Sequence, residues 1–177
     1  AANAELFGPK AANQAALGLA GLPIPNGFCV SAEAYRMQLR KNNLLELINK
    51  LPQADLMESR LLTNEIRMSL FDSPIPEEIS DVLLKSREGL CDNVNTPIVV
   101  RSSALVEDRE GSSFAGQFES FLGLSGEKEF LTAIRACWAA LWSVRALRYM
   151  GSHQIDPSST AMGLLVQPLV NAISSGG

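Results

Sequence analysis

Apolar residues recur every three or four positions between about residues 43 and 90, and this spacing predicts a run of amphipathic helices. Pro52, Pro74 and Pro76 separate these helices, because proline lacks a backbone N–H and does not fit inside a helix. An amphipathic helix usually turns its apolar face toward a core. We therefore interpret this helical insert as scaffold and expect the functional residues elsewhere in the chain.

The segment before the insert predicts a helix, a strand and a second helix. Residues 10–20 are rich in Ala and Leu and follow a Gly-Pro turn, which predicts a helix whose first turn holds Lys10. Residues 28–30 predict a short strand, and Ser31 is well placed to cap a helix that runs to about Leu39.

The segment after the insert predicts a hairpin over about residues 96–124. Its first strand covers residues 96–101, and its second strand covers residues 117–124. Strict alternation places Phe118, Ser120, Leu122 and Leu124 on one face of the second strand, and Gln117, Glu119, Phe121 and Gly123 on the other.

The last part of the chain predicts one long helix and one apolar strand. The helix runs from about residue 127 to residue 150, with Ser125 as its cap, and the strand over residues 161–170 is interrupted by Gln167. Three arginines of the helix either form a basic face toward a polyphosphate or a solvated face: Arg135, Arg145 and Arg148. The single histidine, His153, follows the helix and is interpreted as a helix-end cap or surface residue.

The most informative chemistry lies between the end of the first predicted strand of the hairpin and the start of the second. The sequence there reads Val-Val-Arg-Ser-Ser-Ala over residues 99–104, continues with Glu107 and Asp108, and reaches Gly-Ser-Ser-Phe-Ala-Gly-Gln over residues 111–117. Glycines let backbone N–H groups approach an anion closely, and the guanidinium of Arg101 offers a planar fork of donors. The pattern is typical of a strand that brings a cation to a phosphate, and a polar hairpin connection is the alternative.

Two further residues are candidates for a site. In the first turn of a helix, the ammonium of Lys10 would meet a phosphate beside free backbone N–H groups and the positive end of the helix dipole. The alternative is an exposed surface lysine. A buried Gln167 needs a partner, because burying an unpaired amide costs about 1 to 3 kcal/mol. It lies either beside a ligand or at a strand edge with its side chain in water.

Together, these segments resemble the nucleotide-binding amino-terminal domain of the phosphoenolpyruvate synthase and pyruvate phosphate dikinase family, over most of the chain. The motifs that carry the resemblance are Gly8-Pro9-Lys10, Pro23-Ile24-Pro25-Asn26-Gly27-Phe28, Val100-Arg101-Ser102-Ser103-Ala104, Ser113-Phe114-Ala115-Gly116-Gln117 and the run from Ala133 to Ala146. Where the family usually has Gly-Gly-Lys-Gly, this chain has Gly8-Pro9-Lys10-Ala11, so the turn has one backbone N–H fewer and is stiffer.

The resemblance implies an α+β, ATP-grasp-like fold with a mixed or antiparallel sheet and packed helices, of which residues 1–177 form the amino-terminal part. It also implies that Lys10 and Arg101 contact ATP phosphates and act in catalysis. The other implied nucleotide-binding residues are Gly116, Gln117, Phe118, Glu119, Ser120 and Gln167. No metal ligand is implied within this chain, since the ligands of the accompanying Mg²⁺ are expected outside it.

In the synthase and dikinase members of this family, phosphate passes from ATP through a phosphohistidine on another domain to pyruvate. The resemblance therefore implies ATP and the phosphohistidine and acceptor domains of a parent enzyme as partners. One alternative is the ATP-binding part of a rifampin or glucan phosphotransferase, which uses a different acceptor. Another is a non-catalytic module that binds a nucleotide or a protein.

Composition narrows the range of partners. The 177 residues carry a net charge of −4 and are 46% hydrophobic, which fits a globular core and argues against nucleic-acid or membrane-surface binding. Cys29, Cys91 and Cys137 are far apart in apolar settings, so we expect reduced thiols in the cytoplasm rather than disulfides or a zinc site. No membrane span is expected, and the sequence is compatible with a homo-oligomer.

Overall fold

The computed structural model describes residues 3–90, 96–106 and 118–171. Its helices are α1 (Ala4–Phe7), α2 (Pro9–Leu19), α3 (Ala32–Lys41), α4 (Leu44–Lys50), α5 (Leu56–Asp72), α6 (Glu77–Leu90), α7 (Glu127–Ala140) and α8 (Val144–Ser152). Its strands are β1 (Phe28–Val30), β2 (Ile98–Ala104), β3 (Ser120–Leu124) and β4 (Met162–Pro168), and short 3-10 turns cover Leu51–Gln53 and Pro157–Ser159. Cys91, the part of the predicted turn over residues 107–116 with Gly116, and Gln117 at the start of the second predicted strand lie outside the described residues.

The helices of the insert begin and end where the local sequence favours it. The carboxylate of Asp55 accepts hydrogen bonds from the N–H groups of Met57 and Glu58, at 2.8 and 2.9 Å, and so caps α5. Pro74 and Pro76 lie between α5 and α6. The prediction of proline-separated helices in this segment is therefore confirmed.

The described strands form one antiparallel sheet in the order β1-β4-β2-β3. The two inner strands, β2 and β4, pair along their whole length, from Ile98 opposite Pro168 to Ala104 opposite Met162. β2 ends three residues later than predicted, at Ala104, because its pairing with β4 continues through Ser102 and Ser103. Helices packed on an antiparallel sheet confirm the α+β class.

Strict alternation fails in β3. Ile98 of β2 pairs with Leu124, and Val100 pairs with Phe121, so three steps along β3 match two steps along β2. The extra residue is a β-bulge, and Gly123 accommodates it with a φ of 73°, a left-handed conformation that favours glycine. Leu124 therefore shares the helix-covered face with Phe121, and the prediction that it lies beside Ser120 and Leu122 is wrong.

The hydrophobic core lies between one face of this sheet and the helices. Ile98, Val100 and Ala104 of β2 point into it, where they join fully buried side chains of α7. Phe130 of α7 meets Phe28 of β1 edge to face, with ring centroids 6.5 Å apart. The tryptophans of this segment are core residues, as their place on the apolar stripe of a helix predicts.

The single long helix predicted over residues 127–150 is two helices. The hydroxyl of Ser143 accepts a hydrogen bond from the N–H of Ala146 at 3.2 Å, so Ser143 caps α8 and separates it from α7. By length and hydropathy alone the stretch over residues 127–152 could cross a membrane. Half of its apolar window is buried inside the protein.

Two other predicted caps differ in detail from the structure. α7 is preceded by Gly126 rather than by Ser125, and the carboxylate of Glu129 accepts hydrogen bonds from the N–H groups of both residues. Ser31 does occupy the cap position of α3, but its side chain makes no cap hydrogen bond. A serine hydroxyl therefore caps neither helix, and at α7 the Glu129 carboxylate takes that role.

Candidate functional site

Arg101 is the one exposed residue in the otherwise buried strand β2. It lies opposite Ser120 of β3 and opposite Leu165 of β4, on the sheet face that points away from the core helices. A cavity of about 340 Å³ opens on this face, with polar groups from three strands in its wall. The cavity is lined by Pro25, Val99, Arg101, Ser120, Leu122, Gln167, Pro168, Leu169 and Val170.

Gln167 enters this cavity from β4, where it lies opposite Val99. Its side chain is only 4% exposed, and its Nε2 donates a hydrogen bond to the carbonyl oxygen of Pro25 at 3.2 Å. The prediction of a strand-edge glutamine with its side chain in water is therefore wrong, because β4 is an inner strand of the sheet. Gln14 of α2 donates to the same Pro25 carbonyl at 3.2 Å, so one acceptor joins α2 to β4.

Lys10 is the second residue of α2, which confirms the predicted helix with Lys10 in its first turn. The helix starts at Pro9, in the first helical position, where proline is well tolerated because that N–H has no intrahelical partner. The backbone N–H of Lys10 donates to the Oγ atom of Ser103 at 3.2 Å. Ser103 lies two residues after Arg101 on β2, so the start of α2 is on the same sheet face as Arg101.

Phe118 and Glu119 lie apart from this group. Phe118 is partly buried against the hydrophobic core. Glu119 lines a second cavity, of about 570 Å³, on the helix-covered side of the sheet with Arg67 and Arg145. Its carbonyl oxygen accepts a hydrogen bond from the hydroxyl of Ser102 at 3.0 Å. The structure thus brings together only some of the predicted site residues.

The gathered residues are Arg101, Ser120 and Gln167 in one cavity, with Lys10 at the nearby start of α2. Gly116 and Gln117 lie outside the described residues. The role of each of these residues in binding a nucleotide stays a prediction. What the arrangement offers chemically is a guanidinium, a hydroxyl and an amide on one face, which suits an anionic, hydrogen-bonding ligand.

Of the three arginines on the predicted basic face, Arg135 has a structural role. Its guanidinium donates to the carbonyl oxygen of Asp72 at 3.3 Å and to Thr132 Oγ1 at 3.1 Å, and so joins α7 to α5. His153 follows α8 as its cap residue, and its ring stacks on Tyr149 with centroids 4.0 Å apart. The interpretation of His153 as a helix-end cap is confirmed.

No metal cluster is found in the part of the chain that the structure describes. Within residues 3–90, 96–106 and 118–171, no three His, Cys, Asp or Glu side chains come together as ligands. Among the described residues, none that lines the cavity with Arg101 is a carboxylate. Since Mg²⁺ prefers carboxylate oxygens and water, this donor set does not fit a protein-bound Mg²⁺.

Three residues that hold α1 and α2 against this face of the sheet are uncharged, so a sequence search for charged groups does not find them. Ser103 binds the start of α2, and Gly8 and Gly163 let α1 and α2 lie close against the sheet. Alternation along β2 could have placed Ser103 beside Arg101, since the two are separated by one residue. No local signal could have identified its partner, which is 93 positions away in the sequence.

Comparison with known proteins places the chain among nucleotide-binding domains. A family model described as the pyruvate phosphate dikinase AMP/ATP-binding domain matches residues 4–177. A phosphoenolpyruvate synthase of Aeropyrum pernix is 35% identical over 97% of this chain and 22% of its own length. A probable phosphoenolpyruvate synthase of Methanothermobacter thermautotrophicus is 32% identical over 97% of this chain and 26% of its own length.

A relative named for a different activity is also similar. The rifampicin phosphotransferase of a Streptomyces species is 32% identical over 88% of this chain and 18% of its own length. The chain thus spans about a quarter or less of the length of these curated relatives. The match over nearly all of its residues shows that the chain belongs to the family of the pyruvate phosphate dikinase AMP/ATP-binding domain.

Proposed function

We propose that this chain binds the phosphates of ATP on the sheet face that bears Arg101 and points away from the core helices, here called the open face. In this proposal the chain is the nucleotide-binding part of a phosphoenolpyruvate synthase-type dikinase. One observation carries the proposal. Arg101, Ser120 and Gln167 line one cavity, and the helix start that bears Lys10 lies on the same face. Membership in the AMP/ATP-binding family supports ATP as the ligand.

Electrostatics explains how such a face contributes to phosphoryl transfer. A phosphoryl group in transfer carries charge spread over its oxygens, and fixed cations stabilise that charge more than they stabilise bound ATP. The planar guanidinium of Arg101 can contact two phosphate oxygens at once, whereas the ammonium of Lys10 acts as a point charge. We assign phosphate binding and charge stabilisation to these two residues, and ligand contacts to Ser120 and Gln167.

The remaining steps of the proposed reaction require groups beyond the described residues. ATP would phosphorylate a histidine on another domain of a parent enzyme, and that domain would pass the phosphate to pyruvate. An ATP-grasp arrangement, in which a second lobe closes on the nucleotide, belongs to the same proposal. The described residues that line this cavity include no carboxylate, so the ligands of an accompanying Mg²⁺ would lie elsewhere.

A rifampicin-type phosphotransferase is the second candidate, because one relative bears that name at 32% identity. Both candidates use the ATP site in the same way and differ in the acceptor. A parent enzyme that releases AMP from ATP only when pyruvate is added supports the dikinase. Release that depends on rifampicin instead supports the second candidate.

Calorimetric titration of the chain with ATP and Mg²⁺ tests the site itself. We expect Lys10→Ala and Arg101→Ala each to weaken binding by about 10- to 100-fold, the range for losing a charge-assisted contact. Arg148→Ala is the matched control, because Arg148 is an exposed arginine on α8 outside the cavity. Wild-type affinity in both site variants, or no binding by the unaltered chain, would contradict the proposal.

A further inference from the structure

We propose that Ser103 is a positioning residue, whose hydroxyl seats the first turn of α2 on strand β2 and thereby fixes Lys10 relative to Arg101. The effect of Ser103 on ATP binding rests on the function proposed above. The contact between Ser103 and the first turn of α2 is a property of the unliganded chain. Ser103 is fully buried, so its hydroxyl is not available to a ligand directly. Its effect on a nucleotide would pass through Lys10.

The cap of α2 is unusual. The first N–H groups of a helix lack intrahelical acceptors, and a polar side chain at the cap position normally accepts from one of them. The cap position of α2 is Gly8, which has no side chain to do this. Ser103, 93 positions away, accepts the N–H of Lys10 instead, at 3.2 Å. A strand of the sheet therefore supplies the cap of the helix.

The groups around this hydrogen bond fit closely. A Cβ atom on Gly8 would lie 2.2 Å from both the carbonyl oxygen and the Oγ of Ser103. Gly163 lies opposite Ser103 on β4, and a Cβ atom there would lie 2.5 Å from the carbonyl oxygen of Phe7. Both glycines are thus required for α1 and α2 to lie this close to the sheet. The hydroxyl of Ser103 makes the directional contact between the sheet and α2.

Strand β2 connects this contact to the proposed site. Ser103 and Arg101 are separated by one residue on β2, and both positions pair with β4, so their spacing along the strand is set at about 6.6 Å. The hydrogen bond from the Lys10 backbone to Ser103 therefore fixes the position of the Lys10 backbone relative to Arg101. Two cations that contact one polyphosphate need such a fixed spacing, since misplacement weakens both contacts.

Ser102 provides a matched control for Ser103. It is the next residue on β2 and equally buried, and its hydroxyl donates to the carbonyl oxygen of Glu119 on the opposite side. Ser102→Ala and Ser103→Ala remove the same group from the same strand. Only the second substitution removes the contact with α2.

Amide hydrogen exchange in the unliganded chain tests the seating directly. We expect Ser103→Ala to speed exchange of the Lys10 amide about tenfold or more relative to wild type, and Ser102→Ala to leave it unchanged. If Ser103→Ala fails to fold, Ser103→Cys keeps a side chain of the same shape that is slightly larger and a much weaker acceptor, and the same acceleration is expected. Unchanged Lys10 exchange in the folded variant, or equal acceleration in Ser102→Ala, overturns the proposal.

A double-mutant cycle on ATP affinity tests whether Ser103 acts through Lys10. We expect Ser103→Ala alone to weaken ATP binding about 3- to 10-fold, and to add no further loss in a chain that already carries Lys10→Ala. Additive losses overturn the positioning role. If the unaltered chain binds no ATP, the proposed function fails, and the exchange experiment still decides whether Ser103 seats the helix.

Discussion

The two faces of strand β2 are held in place by different kinds of contact. On the core face, Ile98, Val100 and Ala104 pack against apolar side chains of the helices. On the open face, Arg101 lines a cavity and Ser103 is bound to the start of α2. Apolar packing is non-directional and depends on buried area, whereas the open face depends on single hydrogen bonds and on the absence of Cβ atoms.

This difference separates stability from positioning within one strand. The core face contributes most of the free energy of folding, because it contains the large buried side chains. The open face contributes less buried apolar area and determines instead where the charged groups lie. Substitutions on the two faces should therefore affect different measurements.

The largest expected effect comes from emptying the core face. Phe130→Ala should lower the free energy of unfolding by about 3 to 5 kcal/mol, because it leaves a cavity where a fully buried ring contacts Phe28. Urea unfolding measures the loss. Leu61→Ala, an exposed position on α5, is the control and should change the free energy by less than about 0.5 kcal/mol. Similar losses in both variants would contradict the position of the core.

The open face should respond to an added methyl group instead of a deleted one. Gly163→Ala should lower the free energy of unfolding by about 1 to 3 kcal/mol, because the new Cβ meets the backbone of Phe7 and α1 must move. Gly89 lies in α6 with open space around it, so Gly89→Ala should instead stabilise the chain by about 0.5 to 1 kcal/mol. Thermal unfolding of both variants distinguishes these signs, and a stable Gly163→Ala variant would contradict the close packing.

The helical core was predictable from sequence because its signals are local. Apolar spacing and prolines predict α4, α5 and α6, and each helix can be identified from its own residues. The break between α7 and α8 also has a local signal, Ser143, but the continuous apolar stripe on both sides of it favoured one helix. The bulge at Gly123 depends on pairing with β2, so alternation within β3 alone could not predict it.

The candidate site was predictable only in part, for a related reason. Arg101 and Lys10 were recognisable as candidate phosphate ligands because both side chains are cations. The family resemblance implied that both contact the same nucleotide. The partner of Gln167 is a carbonyl oxygen 142 positions away, at Pro25, and a backbone carbonyl gives no signal in the sequence. The position of Glu119 on the other side of the sheet likewise follows from tertiary structure.

A comparison of two buried tryptophans tests how much a side-chain hydrogen bond in the core contributes to the free energy of unfolding. The indole N–H of Trp142 donates to the hydroxyl of Tyr35 at 2.8 Å, whereas that of Trp138 is buried with no partner among the described residues. Each Trp→Phe substitution removes similar volume. We therefore expect Trp142→Phe to cost about 1 to 2 kcal/mol more than Trp138→Phe, because only the former leaves a buried hydroxyl without its donor. Equal costs in urea unfolding would mean that this hydrogen bond adds nothing.

The smallest expected effect is an alkaline loss of stability through a thiol on the core face. Burial raises the pKa of Cys137 from 9.0 to about 12. Between these values the unfolded chain loses the thiol proton and the folded chain keeps it, so the free energy of unfolding falls as pH rises. From pH 9 to 10 this group alone should account for about 1 kcal/mol, since the limiting slope is about 1.4 kcal/mol per pH unit.

Cys137→Ala isolates this contribution, because it removes the titrating group and leaves the raised pKa of the buried Tyr35 in both chains. Urea unfolding at pH 8, 9 and 10 under reducing conditions should show a shallower decline in the variant, whatever the cost of the lost volume. Parallel declines would mean that the thiol titrates alike in both states and is reached by water. A difference confined to alkaline pH would show that the core face, unlike the open face with its exposed Arg101, excludes charge.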